Sequence, residues 1–381
     1  MAIPYLLVDQ IDERGTYLRK DAGHYDRLRI EVKRARVASV DTKTKQLALE
    51  GGDTLGYDKL LIATGSSPIV PPVPGIDRDG VHSCWTLQDA RWIMRRARPG
   101  AKVVLLGAGF IGSIILEALA RRGTELTVVE MHNRMVPRMM NETAGGLIKR
   151  WCEEKGVQVH TSTKVTSIEE GRGGHALTVH LDNGHVVDAD LVISAAGVRS
   201  NVEFLRGSGL QLDQGVLVDR HLQTSAPDVY AAGDAAQGLD FSTGQCVVQA
   251  VQPTAADHAL IAAGNMSGHE VVHRGSVVMN VLDTMGLIST SFGLWMGVDG
   301  GESAELKQLD RYRYLNLQFQ DDRLIGASSL GLTDHVGVLR GLIQTGVRLK
   351  GWKDKLMQDP TRLMEAYLAC TQPVGYNARV V

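Results

Sequence analysis

One stretch, Val103–Glu130, constrains this chain more than any other: VVLLGAGFIGSIILEALARRGTELTVVE. Val103 to Leu106 is an apolar run that enters a glycine turn at Gly107, Gly109 and Gly112. A helical stretch follows from Phe110 to Arg122, Gly123 stops it, and a β-branched run from Leu126 to Val129 ends in Glu130. Strand, tight turn, helix, strand and acid in this order make a dinucleotide-binding unit. Gly107 makes the turn, Gly109 leaves room for a pyrophosphate against the backbone, and Gly112 lets helix and strand pack closely. The helix start at Phe110 and Ile111 offers free N–H groups and a partial positive charge to the phosphates. Glu130 is placed to accept hydrogen bonds from a ribose 2′-hydroxyl and to repel a 2′-phosphate, which predicts NADH over NADPH. Arg134 and Arg138 lie just beyond, and exposed solubilising arginines are a better reading of them than partners for a 2′-phosphate.

The rest of the chain must accommodate that unit. At 381 residues it is long enough for two or three domains. A net charge of −2 points to no nucleic acid and no anionic membrane as partner. No apolar run reaches the roughly 18 residues of a membrane-spanning helix, and the opening residues carry no secretory-signal pattern. Cys84, Cys152, Cys246 and Cys370 are scattered without a CxxC pair. That argues against a disulfide framework, a zinc site or a local dithiol, and for four small, buried or half-buried residues in a reducing, cytoplasmic setting.

Residues 1–56 are mixed: an apolar opening with Pro4 and Tyr5, a charged stretch from Asp12 to Arg29, short strands at Ile30–Val32 and Val37–Val40, and a hairpin. The hairpin runs from Gln46–Glu50 through Gly51-Gly52-Asp53 into Thr54–Tyr57. Leu60–Ala63 reads as a buried strand ended by Thr64-Gly65-Ser66, and the proline-rich segment to Pro74 as a crossing between domains. Ser83–Arg98 reads as a helix with Thr86 as a cap, broken by Pro99-Gly100. Arg91, Arg95, Arg96 and Arg98 suit the negative end of that helix. After Glu130 come an amphipathic helix over Asn141–Gly156, a strand at Val157–His160, a meander of Val165–Glu169, Ala176–Leu181 and His185–Val187, and a buried strand at Leu191–Ala195.

Two blocks repeat one plan. YDKLLIATGSSP and DADLVISAAGVRSN share an acid, an apolar strand, a small-residue turn and a polar exit. In the second copy Gly197 closes a domain opened by Gly107, 90 positions earlier; the same interval counted back from Gly65 falls ahead of Met1. The first copy therefore has its closing block but no opening fingerprint. Further on, VYAAGDAA sets Gly233-Asp234 at the end of a short strand, and an alanine-rich helix starts at Pro253. Val277–Val298 is apolar enough for core strands or for a subunit contact, with equal weight on each. Tyr312–Phe319 and Leu324–Leu332 read as strands, and Leu339–Leu349 and Trp352–Met364 as helices. His82, His258 and His335 lack metal-ligand spacing with a carboxylate and read as surface or satisfied core residues.

LLIATGSSP, LLGAGFIG with Glu130, LVISAAGVRSN, VYAAGDAA and PTAADHALIAAGNMSG, in this order, resemble the FAD-dependent pyridine nucleotide–disulfide oxidoreductases. The branch most similar is that of rubredoxin and ferredoxin reductases, the flavin subunit of NADH nitrite reductases, and NADH oxidase/coenzyme A-disulfide reductases. The resemblance covers nearly the whole chain. It implies an α/β fold with two Rossmann-like nucleotide domains, the first incomplete at its N-terminal side, and an α+β interface domain. The implied segments are FAD-binding at 1–98 and 218–270, NAD(H)-binding at 99–217, and a dimerisation domain at 271–381. Ala63, Thr64 and Gly65 are implied to lie against FAD, Gly233 and Asp234 at its ribityl chain, and the helix start at Thr254 toward the flavin pyrimidine ring. Gly107 to Gly112 with Glu130 would hold NAD(H), and Gly197 closes the same site.

Two departures accompany the resemblance. MAIPYLL is similar to the family's C-x-x-P-Y segment, with Met1 in place of the cysteine, and Ile114 stands where many members carry a glutamate near the nicotinamide. The implied activity is hydride transfer from NADH to FAD and on to an acceptor: a rubredoxin- or ferredoxin-like protein, a disulfide or oxygen. A homodimer is the expected assembly. The competing class is a flavin-free NADH-binding module, or an inactive fragment of such an enzyme.

Overall fold

Short apolar strands alternate with amphipathic helices between Val81 and Ser194, and that alternation closes a parallel sheet. A computed structural model describes residues 2–171 and 173–371. Met1, the position likened to a cysteine, lies outside the described residues, as do Arg172 and residues 372–381. The chain divides into two compact units, 1–16 with 68–197 and 279–381, and 17–67 with 198–278. The sequence reading drew its boundaries elsewhere. It left 68–98 with the first segment and 198–217 with the nucleotide domain. Val202 and Leu205 pack with Val40, Leu47 and Ile62, so their hydrophobic partners hold them in the second unit.

In the first unit the strand order is Val81–Ser83, Leu191–Ser194, Lys102–Leu106, Glu125–Val129, Gln158–His160, all parallel. Val81–Ser83 corrects the expected helix start at Ser83. The helix runs only over Leu87–Arg96, because Thr86 and Asp89 form a reciprocal capping box that fixes its first turn. The helices Phe110–Arg121 and Glu142–Glu154 cover the sheet, the second capped by Asn141. The expected meander is present as Val165–Glu170, Leu177–Leu181 and Val186–Ala189. The same unit holds a five-stranded antiparallel sheet in the order Met279–Thr284, Leu287–Gly293, Arg323–Leu330, Arg313–Gln320, Glu302–Gln308. Its strand Leu287–Gly293 is largely buried, as core strands are.

Two helix expectations in this part fail for local reasons. Leu339–Leu349 ends early: the helix is Val336–Thr345, stopped by Gly346 in the left-handed conformation at φ +56°. Trp352–Met364 is two helices, Gly351–Gln358 and Leu363–Thr371, because Pro360 cannot donate its N–H or fit the preceding turn.

The second unit contains the predicted hairpin as a sheet of Val37–Asp41, Gln46–Leu49 and Thr54–Gly56. Leu60–Ile62 pairs in parallel with Val229–Ala231, and the helix Gln252–Met266 packs nearby with Ala262 fully buried. Ile30–Val32 is not a strand. Its apolar side chains are exposed, 47% for Ile30 and 61% for Val32, and no described strand pairs with it. Alternation alone does not make a strand when its edge lacks a partner.

Candidate dinucleotide and flavin sites

The strand Lys102–Leu106 delivers the chain to the glycine turn at its carboxyl end. Gly107 has φ +100°, and a Cβ there would stand 2.7 Å from the Ala195 carbonyl oxygen. A Cβ on Gly112 would lie 2.3 Å from the Gly107 carbonyl oxygen, so only a bare Cα lets the first helical turn close onto the loop. Gly109 differs. Its φ of −74° suits any residue, and a Cβ there would meet nothing within 4 Å. The protein's own packing does not require glycine at 109; the open space over its Cα suits an approaching phosphate. The helix begins without a side-chain cap, which leaves its first N–H groups for a ligand. Gly197 closes the neighbouring strand Leu191–Ser194 and has φ +109°.

Glu130 is 5% exposed and turns back toward the glycine turn. Its Oε2 accepts the Ala108 N–H at 2.7 Å. Its Oε1 accepts the His132 N–H at 2.9 Å and lies 2.8 Å from His132 Nδ1. A carboxylate has about four acceptor positions, so a ribose hydroxyl still has room. These residues fit a dinucleotide.

Arg134 corrects the reading of an exposed arginine. Its Nε donates to the Met140 carbonyl at 2.8 Å, and its other nitrogens donate to Asn133 Oδ1 at 2.9 Å and the Pro137 carbonyl at 3.3 Å. The guanidinium is spent on its own loop. Arg138 is exposed, as expected. Beside the helix lies a groove of about 350 Å³ lined by Pro4, Tyr5, Phe110, Ile114 and Val281, with Asp283 at its edge. Ile114 gives it an apolar wall where the resemblance would set a carboxylate.

The second unit gathers the other predicted residues. Ala63, Thr64 and Gly65 follow Leu60–Ile62, and Gly233 and Asp234 follow Val229–Ala231, at the same edge of a parallel pair. Gly65 at φ +67° and Gly233 at φ +69° turn both chains there. Ser66 Oγ donates to Asp234 Oδ2 at 2.6 Å, and Ser200 Oγ donates to the Asp234 carbonyl at 2.5 Å. Thr64 Oγ1 donates to the Asn201 carbonyl at 2.8 Å, and Asn201 Nδ2 returns a bond to the Thr64 carbonyl at 3.0 Å. Sequence reasoning did not single out Ser66, Ser200 or Asn201, although all three stand in the polar exits of the repeated blocks.

The helix Gln252–Met266 starts uncapped with Pro253 in its first turn, and a Cβ on Gly233 would sit 3.2 Å from Ala255 Cβ. Thr254 is 4% exposed, so the helix start offers backbone N–H groups rather than its hydroxyl. An uncapped helix start and an acceptor-only carboxylate on glycine turns fit the ribityl and ring end of a flavin nucleotide.

Burial makes two of the thiols unreactive. All four cysteines are free, and burial pushes Cys84 and Cys152 up to about 12. Cys246 corrects the expectation of burial: it is exposed, in the two-residue strand Cys246–Val247. Among the described residues no three His, Cys, Asp or Glu side chains are grouped to hold a metal, and no helix is long and apolar enough to cross a membrane.

Fold and site together define a two-nucleotide α/β oxidoreductase. The chain matches the family "Pyridine nucleotide-disulphide oxidoreductase" over residues 3–265 and belongs to it. It is an FAD- and NAD(P)H-dependent enzyme of that family. It is 30% identical over 362 residues to the epsilon subunit of NADH-dependent phenylglyoxylate dehydrogenase of Aromatoleum evansii, covering 94% of this chain and 85% of that protein. It is 28% identical to the rubredoxin-NAD(+) reductase of Pseudomonas putida, over 81% of this chain and 79% of the relative. A NAD-dependent persulfide reductase from A. fulgidus superposes with a TM-score of 0.82 at 26% identity, covering 93% of this chain and 71% of that structure.

Proposed function

We propose that the chain takes hydride from NADH, held on Gly107, Gly109, Phe110, Ile111, Gly112, Glu130 and Gly197, and delivers electrons to an external acceptor. FAD is held by Ala63, Thr64, Gly65, Gly233, Asp234 and the helix start at Thr254, and when bound it supplies the hydride-accepting and electron-releasing chemistry. The chain's own residues bind and orient. The N–H groups after Gly109 face the pyrophosphate, Glu130 selects the ribose, and Phe110 with Ile114 gives the nicotinamide an apolar wall that keeps water away. Ser66 holds the Asp234 carboxylate for the flavin side chain. The acceptor is a small redox protein, a disulfide or oxygen.

The observation that carries this reading is the bond between Ser66 and Asp234. It joins segments 168 positions apart into one ligand edge. The test is to purify the chain, look for the visible flavin band and add NADH. A band that NADH bleaches supports the reading; a colourless protein that ignores NADH and added FAD overturns it. One observation favours a flavin-free NADH module instead: the parallel pair Leu60–Ile62 and Val229–Ala231 has no third strand among the described residues. NADH binding without flavin uptake would select that reading. Pairing of two copies through the C-terminal sheet and helices and a reducing, cytoplasmic setting belong to the same proposal; light scattering and cell fractionation test them.

A further inference from the structure

We propose that His132 is the positioning residue that gives this site its preference for NADH over NADPH. The inference rests on the dinucleotide reading of Gly107–Glu130. An ionised carboxylate only accepts hydrogen bonds, so His132 Nδ1, 2.8 Å from Glu130 Oε1, must carry the hydrogen. The backbone N–H of the same residue donates to the same oxygen at 2.9 Å. With Ala108 N–H on Oε2, both oxygens are held and the carboxylate plane is fixed.

The pair is asymmetric in exposure: the Glu130 side chain is 6% exposed and that of His132 is 55%. The imidazole is thus the accessible member, and its Nδ1 side is held against Glu130 Oε1. The held carboxylate has no hydrogen to donate to a 2′-phosphate and repels it. Three of the Arg134 donors are engaged on its own loop, at Met140, Asn133 and Pro137. Selectivity therefore resides in the oriented acid, and the orientation in His132.

The test measures NADH and NADPH dissociation constants for the purified protein by fluorescence titration. His132→Ala weakens NADH about five- to tenfold, less than the full worth of a charge-assisted hydrogen bond because the two backbone donors still hold the carboxylate, and leaves NADPH within about twofold, so the preference shrinks. His132→Asn, whose Nδ2 stands where the ring Nδ1 does, returns the preference to within about twofold of the native value. Glu130→Gln abolishes it. An unchanged preference in His132→Ala, or an Asn variant no better than Ala, overturns the role of His132 while the dinucleotide site stands. A native protein that binds neither nucleotide overturns both.

Discussion

Gly109 and Gly112 are both fingerprint glycines, and the structure assigns them different reasons for being glycine. At Gly112 the reason is internal: an alanine methyl would overlap the Gly107 carbonyl oxygen at 2.3 Å. Relief requires the helix start to move away from the loop, and overpacking of this kind costs about 1–3 kcal/mol. At Gly109 a methyl meets nothing within 4 Å, and the backbone is already extended at φ −74°, so alanine costs less than about 1 kcal/mol as a poorer N-cap. That methyl nevertheless occupies the space over the loop. A pyrophosphate displaced from it loses one charge-assisted hydrogen bond to the helix N-terminus, about 1.5–3 kcal/mol. NADH affinity then falls about ten- to a hundredfold. Urea unfolding and NADH titration of the two variants separate the effects. Gly112→Ala lowers the unfolding midpoint; Gly109→Ala keeps it and loses the ligand. If Gly109→Ala binds NADH like the native chain, the phosphate does not approach that Cα and the assignment of the loop is wrong.

Other consequences are as direct. His258 is 3% exposed, and burial beside His273 lowers it from 6.5 to about 4. Above pH 6.5 the ring is neutral folded and unfolded. As pH falls toward 4 the unfolded chain takes a proton that the folded one refuses, so stability drops by about 3 kcal/mol across that window. Denaturant melts from pH 7 to 4 should show the slope, and His258→Gln should flatten it. Arg122 donates to the carbonyls of Ala97 at 2.8 Å, Leu7 at 2.6 Å and Met94 at 3.0 Å. Arg122→Ala strands three acceptors and costs about 2–4 kcal/mol in urea melts, while Lys recovers only part because an ammonium lacks the planar fork. Ser66→Ala frees the Asp234 carboxylate and should raise the flavin dissociation constant several-fold with little change in the unfolding midpoint; an unchanged constant would remove Ser66 from the site.

What was legible in the sequence follows the range of the interactions that set it. The elements from Lys102 to Ser194 fall within one or two residues of expectation, because period, cap and glycine stop lie inside each segment. Pro360 and Gly346 are equally local signals, and both outweigh the apolar spacing that runs past them. Ile30–Val32 is the opposite case: its alternation is real, but a strand also needs an edge, and no local pattern reports one. The histidines were half legible. His258 is buried as a core residue would be and its Nε2 lies 3.4 Å from Ser276 Oγ, yet its Nδ1 has no hydrogen-bond partner among the described residues, so the core histidine is only half satisfied. Asp234 is legible as a strand-end acid, but its serine partners stand in two separate blocks, and only the fold brings them to it.

Glu130 marks the limit of a spacing rule. The rule puts an acid at the end of the second strand and treats its side chain as free to meet a ribose. A carboxylate that is 5% exposed cannot wait unpartnered; left without donors it would carry the full cost of a buried polar group. Ala108 and His132 meet that need. The donors that make the burial tolerable also set the direction in which the carboxylate can still accept, so solving the folding problem prepares the ligand site. On the proposed reading the acid's identity is dictated by its ligand and is readable from position. Its donors are dictated only by geometry: the Ala108 amide belongs to any residue in that turn, and many residue types at 132 could supply a backbone N–H. Only the second bond, from the ring of His132, needs a particular side chain at that position, and it carries the specificity argued above.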